Sequence, residues 1–198
     1  MTTLYAADDH VFTTFSGKRI NFAAPEESDF DISDIAHALS RIPRYGGHLP
    51  CEHYSVGQHS VLVARAAQLL YRERHNEDPP KALLLRALLH DAQEAYLGDV
   101  VSPLKGLLPE YKALEAKFEA ALAKHFCITD EYGEWVAQAD SALYAAETHQ
   151  LRGYTKEHFD KLQNPMLWDR RSIVSINKRA TAEEVKAEFL ECYGRYKA

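Results

Sequence analysis

Apolar side chains recur at helical spacing along most of the chain. Ile32, Ile35 and Leu39 fall on one face of a helix, because residues three and four positions apart lie on the same side of an α-helix. Pro43 then ends that run, since proline disrupts a continuing helix. The same period returns further along, so we expect helices over 31–42, 55–73, 81–96, 109–126, 130–153 and 181–196.

Two of these helices begin with capping sequences. Ser55 is followed three residues later by Gln58, and Thr181 is followed at the same spacing by Glu184. In a capping box the first side chain accepts a bond from the backbone N–H three residues on, and the later side chain reaches back to the first residue's N–H. Both pairs therefore predict helix N-termini.

The rest of the chain predicts little regular structure. Residues 11–22 read as two extended runs around a turn at Ser16-Gly17, which indicates a small β-hairpin. Residues 154–180 are mixed and polar, and we expect them to be irregular. The predicted fold class is all-α, a single helical bundle of five to six main helices with a small N-terminal β-hairpin. We expect one domain over 1–198, with an N-terminal extended or hairpin segment at 1–30 and a C-terminal extension with the final helix at 154–198.

The composition is that of an ordinary globular protein, with 46% hydrophobic residues, 26% charged residues and a net charge of −6. The acidic balance opposes binding to a nucleic-acid polymer, which needs a basic surface. No apolar run reaches the roughly 20 residues of a membrane helix, and the first residues lack a signal-peptide pattern. The three cysteines are widely spaced, which is not a disulfide framework. We therefore expect a cytoplasmic protein with no membrane partner.

Three of the predicted helices direct ionisable side chains toward their apolar faces. These residues are His59 in the helix 55–73, His90 with Asp91 beside it in the helix 81–96, and Asp140 in the helix 130–153. Each has an ordinary interpretation by itself, because a lone inward histidine is usually a hydrogen-bonded core residue and a lone aspartate usually caps a helix or pairs with arginine. Their joint occurrence on three inward faces favours a common site.

A divalent cation accounts for this combination of residues. An isolated carboxylate in an apolar interior costs several kcal/mol, and two such groups repel each other. A cation neutralises both acids and uses the lone pairs of both imidazoles. The mixed nitrogen and oxygen donors suit Mn²⁺, Co²⁺, Zn²⁺, Fe²⁺, Ni²⁺ or Mg²⁺. The sequence therefore predicts a divalent metal ion as cofactor.

The segments around these residues resemble a known family. They read SVGQHSVLVA, ALLHDAQEAYLGDVVSPLK and AQADSALYAAE, and are similar to the H…HD…D signature of the HD superfamily of metal-dependent phosphohydrolases. The nearer resemblance is to its small nucleotidase-like branch, which includes bacterial 5′-deoxynucleotidases and phage-type dATP triphosphohydrolases. The segment DIAHALSRIPRYGGH is especially similar to the phage-type members. The resemblance covers roughly residues 13–150 and implies the HD-domain helical fold.

The resemblance also implies roles for individual residues. It assigns the metal to His59, His90, Asp91 and Asp140, catalysis to Glu94 and Asp99, and substrate binding to Arg44, Tyr45 and Lys105. Arg44 and Lys105 match residues that hold phosphate. The deoxynucleotidases have an Arg-Trp pair where this chain has Arg44-Tyr45. A tyrosine can still stack on a nucleoside, but the change leaves the nucleoside preference open.

The resemblance implies a nucleotide phosphohydrolase. The preferred hypothesis is a dATP triphosphohydrolase that releases deoxynucleoside and triphosphate. The alternative is a 5′-deoxynucleotidase that converts deoxynucleoside monophosphates to deoxynucleoside and phosphate. Other possibilities are a hydrolase of cyclic nucleotides or (p)ppGpp and a non-catalytic nucleotide-binding regulatory module. Members of this branch tend to be oligomers, so we expect a homo-oligomer, a dimer or a hexamer, in the cytosol of a bacterium or of a phage-infected host.

Overall fold

The computed structural model describes residues 10–161 and 165–197. Two short strands, β1 (Val11–Thr13) and β2 (Arg19–Asn21), open the described part. Nine α-helices follow within these ranges: α1 (Ile32–Leu39), α2 (Val56–His75), α3 (Lys81–Leu88), α4 (Glu94–Leu97), α5 (Ser102–Lys105), α6 (Pro109–His125), α7 (Gly133–Arg152), α8 (Lys156–Lys161) and α9 (Ala182–Tyr196). Six of the described helices have eight or more residues. The predicted all-α fold with a small N-terminal hairpin is confirmed.

The N-terminal hairpin is antiparallel and is tied to the first helix. β1 pairs with β2 so that Phe12 lies opposite Ile20. Gly17 in the connecting turn has φ of +88°, a conformation that glycine adopts without steric cost. The carboxylate of Asp34 in α1 accepts bonds from the Thr14 hydroxyl and from the backbone N–H and hydroxyl of Ser16. The hairpin is therefore fastened to the helical body by a buried polar contact.

Helix α2 lies at the centre of the bundle and packs against α3, α7, α9 and α1. Its N-terminal half, from Val56 to Ala67, is almost entirely buried. Gly57 permits the close approach of α1, because a Cβ atom there would lie 3.0 Å from the backbone nitrogen of Ser40. No helix in the described ranges is both long enough and apolar enough to cross a bilayer.

The two predicted capping boxes differ in the structure. Thr181 and Glu184 form both reciprocal bonds at the start of α9. At the start of α2, Ser55 accepts from the backbone N–H of Gln58 as expected. The Gln58 side chain instead donates to the backbone oxygen of Asn177. The second bond of that box is therefore replaced by a tertiary contact.

The predicted continuous helix over 81–96 is wrong. Helix α3 ends at Leu88, residues 89–93 form turns, and α4 begins at Glu94. The His90 ring nitrogen Nδ1 lies 2.8 Å from the carbonyl oxygen of Ala87, an oxygen that a continuous helix would bond to the N–H of residue 91. The following bonds span three residues instead of four, as from Ala92 to the Leu89 carbonyl. The chain is thus tightened where His90 and Asp91 occur.

Residues 154–180 are more regular than the expected irregular segment. They contain α8 and a 3₁₀ turn at Pro165–Arg170, while 162–164 lie outside the described residues. Phe159 in α8 is fully buried, and its ring centroid lies 5.6 Å from that of Trp168. The short helix is therefore held by an aromatic contact between residues nine positions apart, which helical periodicity does not reveal.

Candidate metal centre and active site

Four side chains from three parts of the bundle meet at one point. His59 comes from the middle of α2, His90 and Asp91 from the turns after α3, and Asp140 from α7. Nε2 of His59 lies 3.3 Å from Nε2 of His90 and 3.2 Å from Oδ1 of Asp140. Oδ2 of Asp91 lies 3.5 Å from Nε2 of His59 and 3.1 Å from Nε2 of His90. The structure therefore brings together all four residues predicted as metal ligands.

The hydrogen bonds of the two imidazoles orient their lone pairs toward each other. Nδ1 of His59 lies 2.7 Å from Oε1 of Glu147, and Nδ1 of His90 lies 2.8 Å from the Ala87 carbonyl. Both partners are acceptors, so each Nδ1 carries the hydrogen and each neutral ring presents a bare Nε2. Two bare nitrogens and two carboxylate oxygens would repel one another without a cation between them. This donor set fits a divalent metal ion held by histidines that oxygen acceptors orient.

The charges of the cluster and its neighbours also shift the pKa values of His59, Asp91 and Asp140. Burial and Arg44 act to lower the pKa of His59, but Glu147 and Asp140 outweigh them and raise it to about 9. Burial acts to raise the pKa of Asp91, yet His90, His59 and Arg44 hold it well below its ordinary value. The pKa of Asp140 is likewise lowered against burial by His59 and His90. The cluster therefore favours a positive charge at its centre.

Glu147 is the main residue of the site that the sequence analysis did not assign. It is fully buried in α7, and its carboxylate accepts from the hydroxyls of Tyr45 at 2.6 Å and Tyr54 at 2.7 Å. Nδ1 of His59 and the guanidinium of Arg44 complete its surroundings. Burial would raise the pKa of Glu147, but Arg44 and His59 lower it to about 2. The ionised carboxylate thus fixes the tautomer and orientation of His59.

A sequence signal for Glu147 existed, because it shares the apolar stripe of Asp140 and Leu143 along α7. An inward carboxylate two turns beyond a candidate ligand could have been included in the site. Tyr54 offered no comparable signal. It precedes the α2 N-cap in a loop, where no periodicity indicates the direction of a side chain.

Arg44 and Tyr45 contact the cluster through carboxylates. NH1 of Arg44 lies 3.7 Å from Oδ2 of Asp91, and its Nε lies 3.4 Å from Oε1 of Glu147. Tyr45 has φ of +57° and its hydroxyl donates to Glu147 at 2.6 Å. The guanidinium carbons of Arg44 and Arg152 lie 5.5 and 5.6 Å from its ring centroid. The structure thus gives Tyr45 a role in positioning Glu147, while its predicted contact with a nucleoside stays a prediction.

Glu94 and Lys105 form a second polar group beside the candidate ligands. Nζ of Lys105 lies 3.3 Å from Oε1 of Glu94 and 2.7 Å from Oε1 of Glu115 in α6. The Oε2 atom of Glu94 is buried and has no hydrogen-bond partner among the described residues. Burial, with the charges of Asp91 and Asp99, raises the pKa of Glu94 to about 8. Lys105, predicted to bind phosphate, is therefore paired with two carboxylates in this structure.

Asp99 lies in the segment that follows α4. Gly98 ends that helix with φ of +78°, and the Tyr111 hydroxyl donates to the Gly98 carbonyl at 2.9 Å. Asp99 is half-buried and near enough to Glu94 to contribute to the rise of its pKa. The predicted second acid is thus beside the first, and its contact with a substrate stays a prediction.

Comparison with known proteins supplies an independent line of evidence. The family described as 5'-deoxynucleotidase YfbR-like matches residues 33–162, a span that includes every predicted site residue. The uncharacterised protein YfdR of Escherichia coli is 38% identical over 138 residues, 70% of each chain. An uncharacterised protein of Rhodobacter capsulatus is 30% identical over 153 residues, 74% of this chain and 76% of its own. The 4'-phosphooxetanocin A phosphatase of Priestia megaterium is 33% identical over 76 residues, 36% of this chain and 39% of that protein.

Proposed function

The chain belongs to the 5'-deoxynucleotidase YfbR-like family, and from this premise we propose that it hydrolyses deoxynucleoside 5′-monophosphates to deoxynucleoside and phosphate. The observation that carries the proposal is the meeting of two imidazoles and two carboxylates at one point, with the Nε2 atoms 3.3 Å apart. The family membership confirms the prediction of a metal-dependent HD-domain phosphohydrolase. The similarity to a phosphatase agrees with it.

His59, His90, Asp91 and Asp140 are the residues that would hold the metal ion. Ligand atoms of His59, His90 and Asp140 all lie within 4.8 Å of one another, and the distances of Asp91 to both histidines support it as the fourth ligand. When bound, a divalent cation supplies charge neutralisation and Lewis-acid polarisation of a phosphoryl group.

The protein's own groups supply the remaining chemistry of ester hydrolysis. Arg44 binds the phosphate oxygens through its NH1 group. This group faces the cluster, and its 3.7 Å distance to Oδ2 of Asp91 is longer than a hydrogen bond, so it can donate to a phosphate oxygen. Glu94 accepts a proton from the attacking water at its unpartnered Oε2. The water oxygen bonds to phosphorus as the bond between phosphorus and the 5′-oxygen breaks, and the proton taken up by Glu94 passes to the leaving 5′-oxygen. Asp99, beside Glu94, orients the substrate.

The distribution of charge supports a monophosphate substrate over the preferred hypothesis of a dATP triphosphohydrolase. A triphosphate carries several negative charges, and binding it requires several uncommitted cations. Of the two residues predicted to hold phosphate, Lys105 is paired with Glu94 and Glu115, while NH1 of Arg44 makes a looser 3.7 Å approach to Asp91. The family match likewise supports the alternative stated from the sequence and lends no support to the triphosphohydrolase.

A nucleotide panel tests the proposal. Purified protein would be assayed with deoxynucleoside mono-, di- and triphosphates in the presence of Mn²⁺, Co²⁺, Mg²⁺ or Zn²⁺, with products separated by chromatography. We expect orthophosphate from monophosphates and no triphosphate from dATP. Asp91→Ala should lose both bound metal and hydrolysis, because it removes a ligand that contacts both histidines. Release of triphosphate from dATP without hydrolysis of monophosphates would overturn the proposal.

The regulatory-module hypothesis has a different outcome in the same experiment, namely nucleotide binding without any hydrolysis. The predicted homo-oligomer, the cytoplasmic location and the single domain over 1–198 stay predictions. A sedimentation mass above that of one chain would support the first of these.

A further inference from the structure

A groove of about 500 Å³ adjoins the candidate metal centre and has no part in the roles described so far. It lies between α3, α6 and α7, and His90 and Asp140 form part of its lining. The Asp140 side chain is 46% exposed, more than that of any other candidate ligand, whereas the His59 side chain is completely buried. Solvent therefore reaches the cluster from the Asp140 side, along this groove.

The charged side chains that line the groove are mostly acidic. Glu119 in α6, Asp130 before α7 and Asp140 in α7 contribute three carboxylates. Among the lining residues that the structure describes, Arg86 is the only arginine or lysine. Its guanidinium bonds to the Thr129 carbonyl and lies 3.1 Å from the carboxylate of Asp130. The groove therefore attracts cations and repels anions.

The ionisation of Glu119 reflects this excess of negative charge. Burial and the charges of Glu115 and Asp91 raise the pKa of Glu119 above its ordinary value, against the opposing charge of Lys105. The surroundings of Glu119 thus disfavour a further negative charge. A divalent cation that passes Glu119 is stabilised by the same negative potential.

The two cations predicted to hold phosphate are not among the described residues that line the groove, which are neither Arg44 nor Lys105. NH1 of Arg44 lies 3.7 Å from Oδ2 of Asp91, and Nζ of Lys105 lies 3.3 Å from Oε1 of Glu94. A metal ion that approached past these two groups would meet positive charge, whereas one that approaches past Asp140 meets negative charge. The charges therefore favour different approaches for a cation and for a phosphate.

The groove is large enough for a hydrated ion. Six waters occupy about 200 Å³ at the roughly 30 Å³ that each fills in the liquid, which is less than half of the groove. Ala120 in α6 and Ala137 in α7 line it and are exposed, so only methyl groups project there. Oδ1 of Asp140 lies 3.2 Å from the bare Nε2 of His59. An ion that reaches Asp140 is therefore beside the most deeply buried of the candidate ligands.

We propose that this groove is the route by which a hydrated divalent cation reaches the buried metal centre, with Glu119 attracting the ion and Asp140 binding it first. The proposal rests on the metal centre of the function proposed above. The ion exchanges its waters for Asp140, then His90, then His59, because the exposure of these side chains decreases in that order. Glu119 thereby has a role in metal uptake and none in hydrolysis.

Filling the groove tests the route. Ala120→Trp places an indole in the groove, and Ala187→Trp makes the same change on the exposed face of α9, outside the groove. Rapid mixing of the metal-free protein with Co²⁺ measures uptake, and a chromogenic chelator measures release, so neither depends on hydrolysis. Ala120→Trp should slow both at least about tenfold, as when a barrier rises by about 1.4 kcal/mol, and leave Kd unchanged. Ala187→Trp should keep the parent's rates.

Removing the carboxylate tests the attraction. Glu119→Gln should slow Co²⁺ uptake at low salt by about tenfold, the lower end of the range by which a charged cleft raises association rates. Release should change little, because Glu119 is not a candidate ligand. Uptake by the parent should slow as salt is added, and this dependence should weaken in Glu119→Gln. Glu110→Gln, an exposed change on the same helix outside the groove, should match the parent.

The outcomes separate this inference from the proposed function. If Ala120→Trp takes up and releases Co²⁺ at the parent's rates, or if the parent takes up no Co²⁺, the route is overturned. If Ala120→Trp slows both rates and the parent hydrolyses no monophosphate, the route stands and the proposed function fails. Ala137→Trp fills the groove from the α7 side and provides a second variant should Ala120→Trp fold poorly.

Discussion

Two polar clusters in this bundle differ in the balance of hydrogen-bond donors and acceptors. In the first, which ties the hairpin to α1, the carboxylate of Asp34 accepts from the Thr14 hydroxyl at 2.7 Å and from the Ser16 hydroxyl and N–H at 2.7 and 2.8 Å. Every partner is a donor facing an acceptor. In the candidate metal centre, two bare imidazole nitrogens and two carboxylates face one another.

Burial of a charged residue does not by itself identify a functional site. Asp34 is buried and has a lowered pKa, as Asp91 has. The carboxylate of Asp34 is satisfied by protein donors and needs no ligand. A surplus of acceptors, as around His59 and His90, is the feature that calls for a cation.

Glu147 links the two kinds of cluster. Its carboxylate is satisfied by hydroxyl, imidazole and guanidinium donors, as that of Asp34 is by its own partners. One of those donors is His59, whose other nitrogen faces the metal centre. The hydrogen-bonded cluster around Glu147 thus holds His59 in position in the candidate metal centre.

The largest effect is expected at the unpartnered acceptor beside the metal centre. Glu94→Gln keeps the shape of the side chain and removes its capacity to take a proton, so kcat should fall by about 10²–10⁴-fold. Metal content should be unchanged, because Glu94 is not one of the four candidate ligands. Turnover of the monophosphate substrate and metal analysis would be measured together. A loss below tenfold would exclude Glu94 as the acid–base group.

A smaller effect is expected at Glu147, whose carboxylate orients His59 in the candidate metal centre. Glu147→Gln weakens the bond that orients His59 and leaves Arg44 without its buried counter-charge, so metal affinity should fall by about 10–100-fold. Titration of the metal-free protein with Mn²⁺ would measure this change. Tyr54→Phe removes only one of the donors to Glu147 and should have a lesser effect; equal affinity in Glu147→Gln and the parent would contradict the orienting role.

The smallest effect on activity is expected at Asp34, whose carboxylate is bonded by Thr14 and Ser16. Asp34→Asn should leave hydrolysis unchanged and lower stability by about 1–3 kcal/mol, because buried donors lose their acceptor. The matched surface change Asp160→Asn breaks only an exposed ion pair with Lys156 and should cost less than about 1 kcal/mol. Denaturant unfolding measures both changes.

The pH dependence of that effect follows from the pKa of Asp34. Burial acts to raise this pKa, but Thr14, Ser16 and Lys18 lower it from 3.8. A lowered folded-state pKa means that the ionised carboxylate stabilises the fold above pH 3.8, and this stabilisation disappears as the pH falls through the folded value. The stability difference between the parent and Asp34→Asn should therefore be constant near neutral pH and shrink below about pH 4. A difference that grew on acidification would contradict this account.

The long helices were predictable because each depends on local periodicity and caps. Predicted starts at 55, 109 and 181 and the end near Gly153 agree with α2, α6, α9 and α7 to within about two residues. The break in the predicted helix 81–96 was not predictable, since it depends on a bond from the His90 ring to the Ala87 carbonyl. That bond requires a particular rotamer, which apolar spacing does not specify.

The helical class and the inward faces of His59 and Asp140 follow from the sequence, because a helical period is local and puts a residue on a face. His90 and Asp91 were identified through the resemblance to the H…HD…D signature, since they lie in turns after α3. How those faces meet depends on the packing of the helices. That packing places Glu147 against His59 and pairs Lys105 with Glu94 and Glu115. These contacts join residues far apart in the chain, and their geometry depends on how the helices pack.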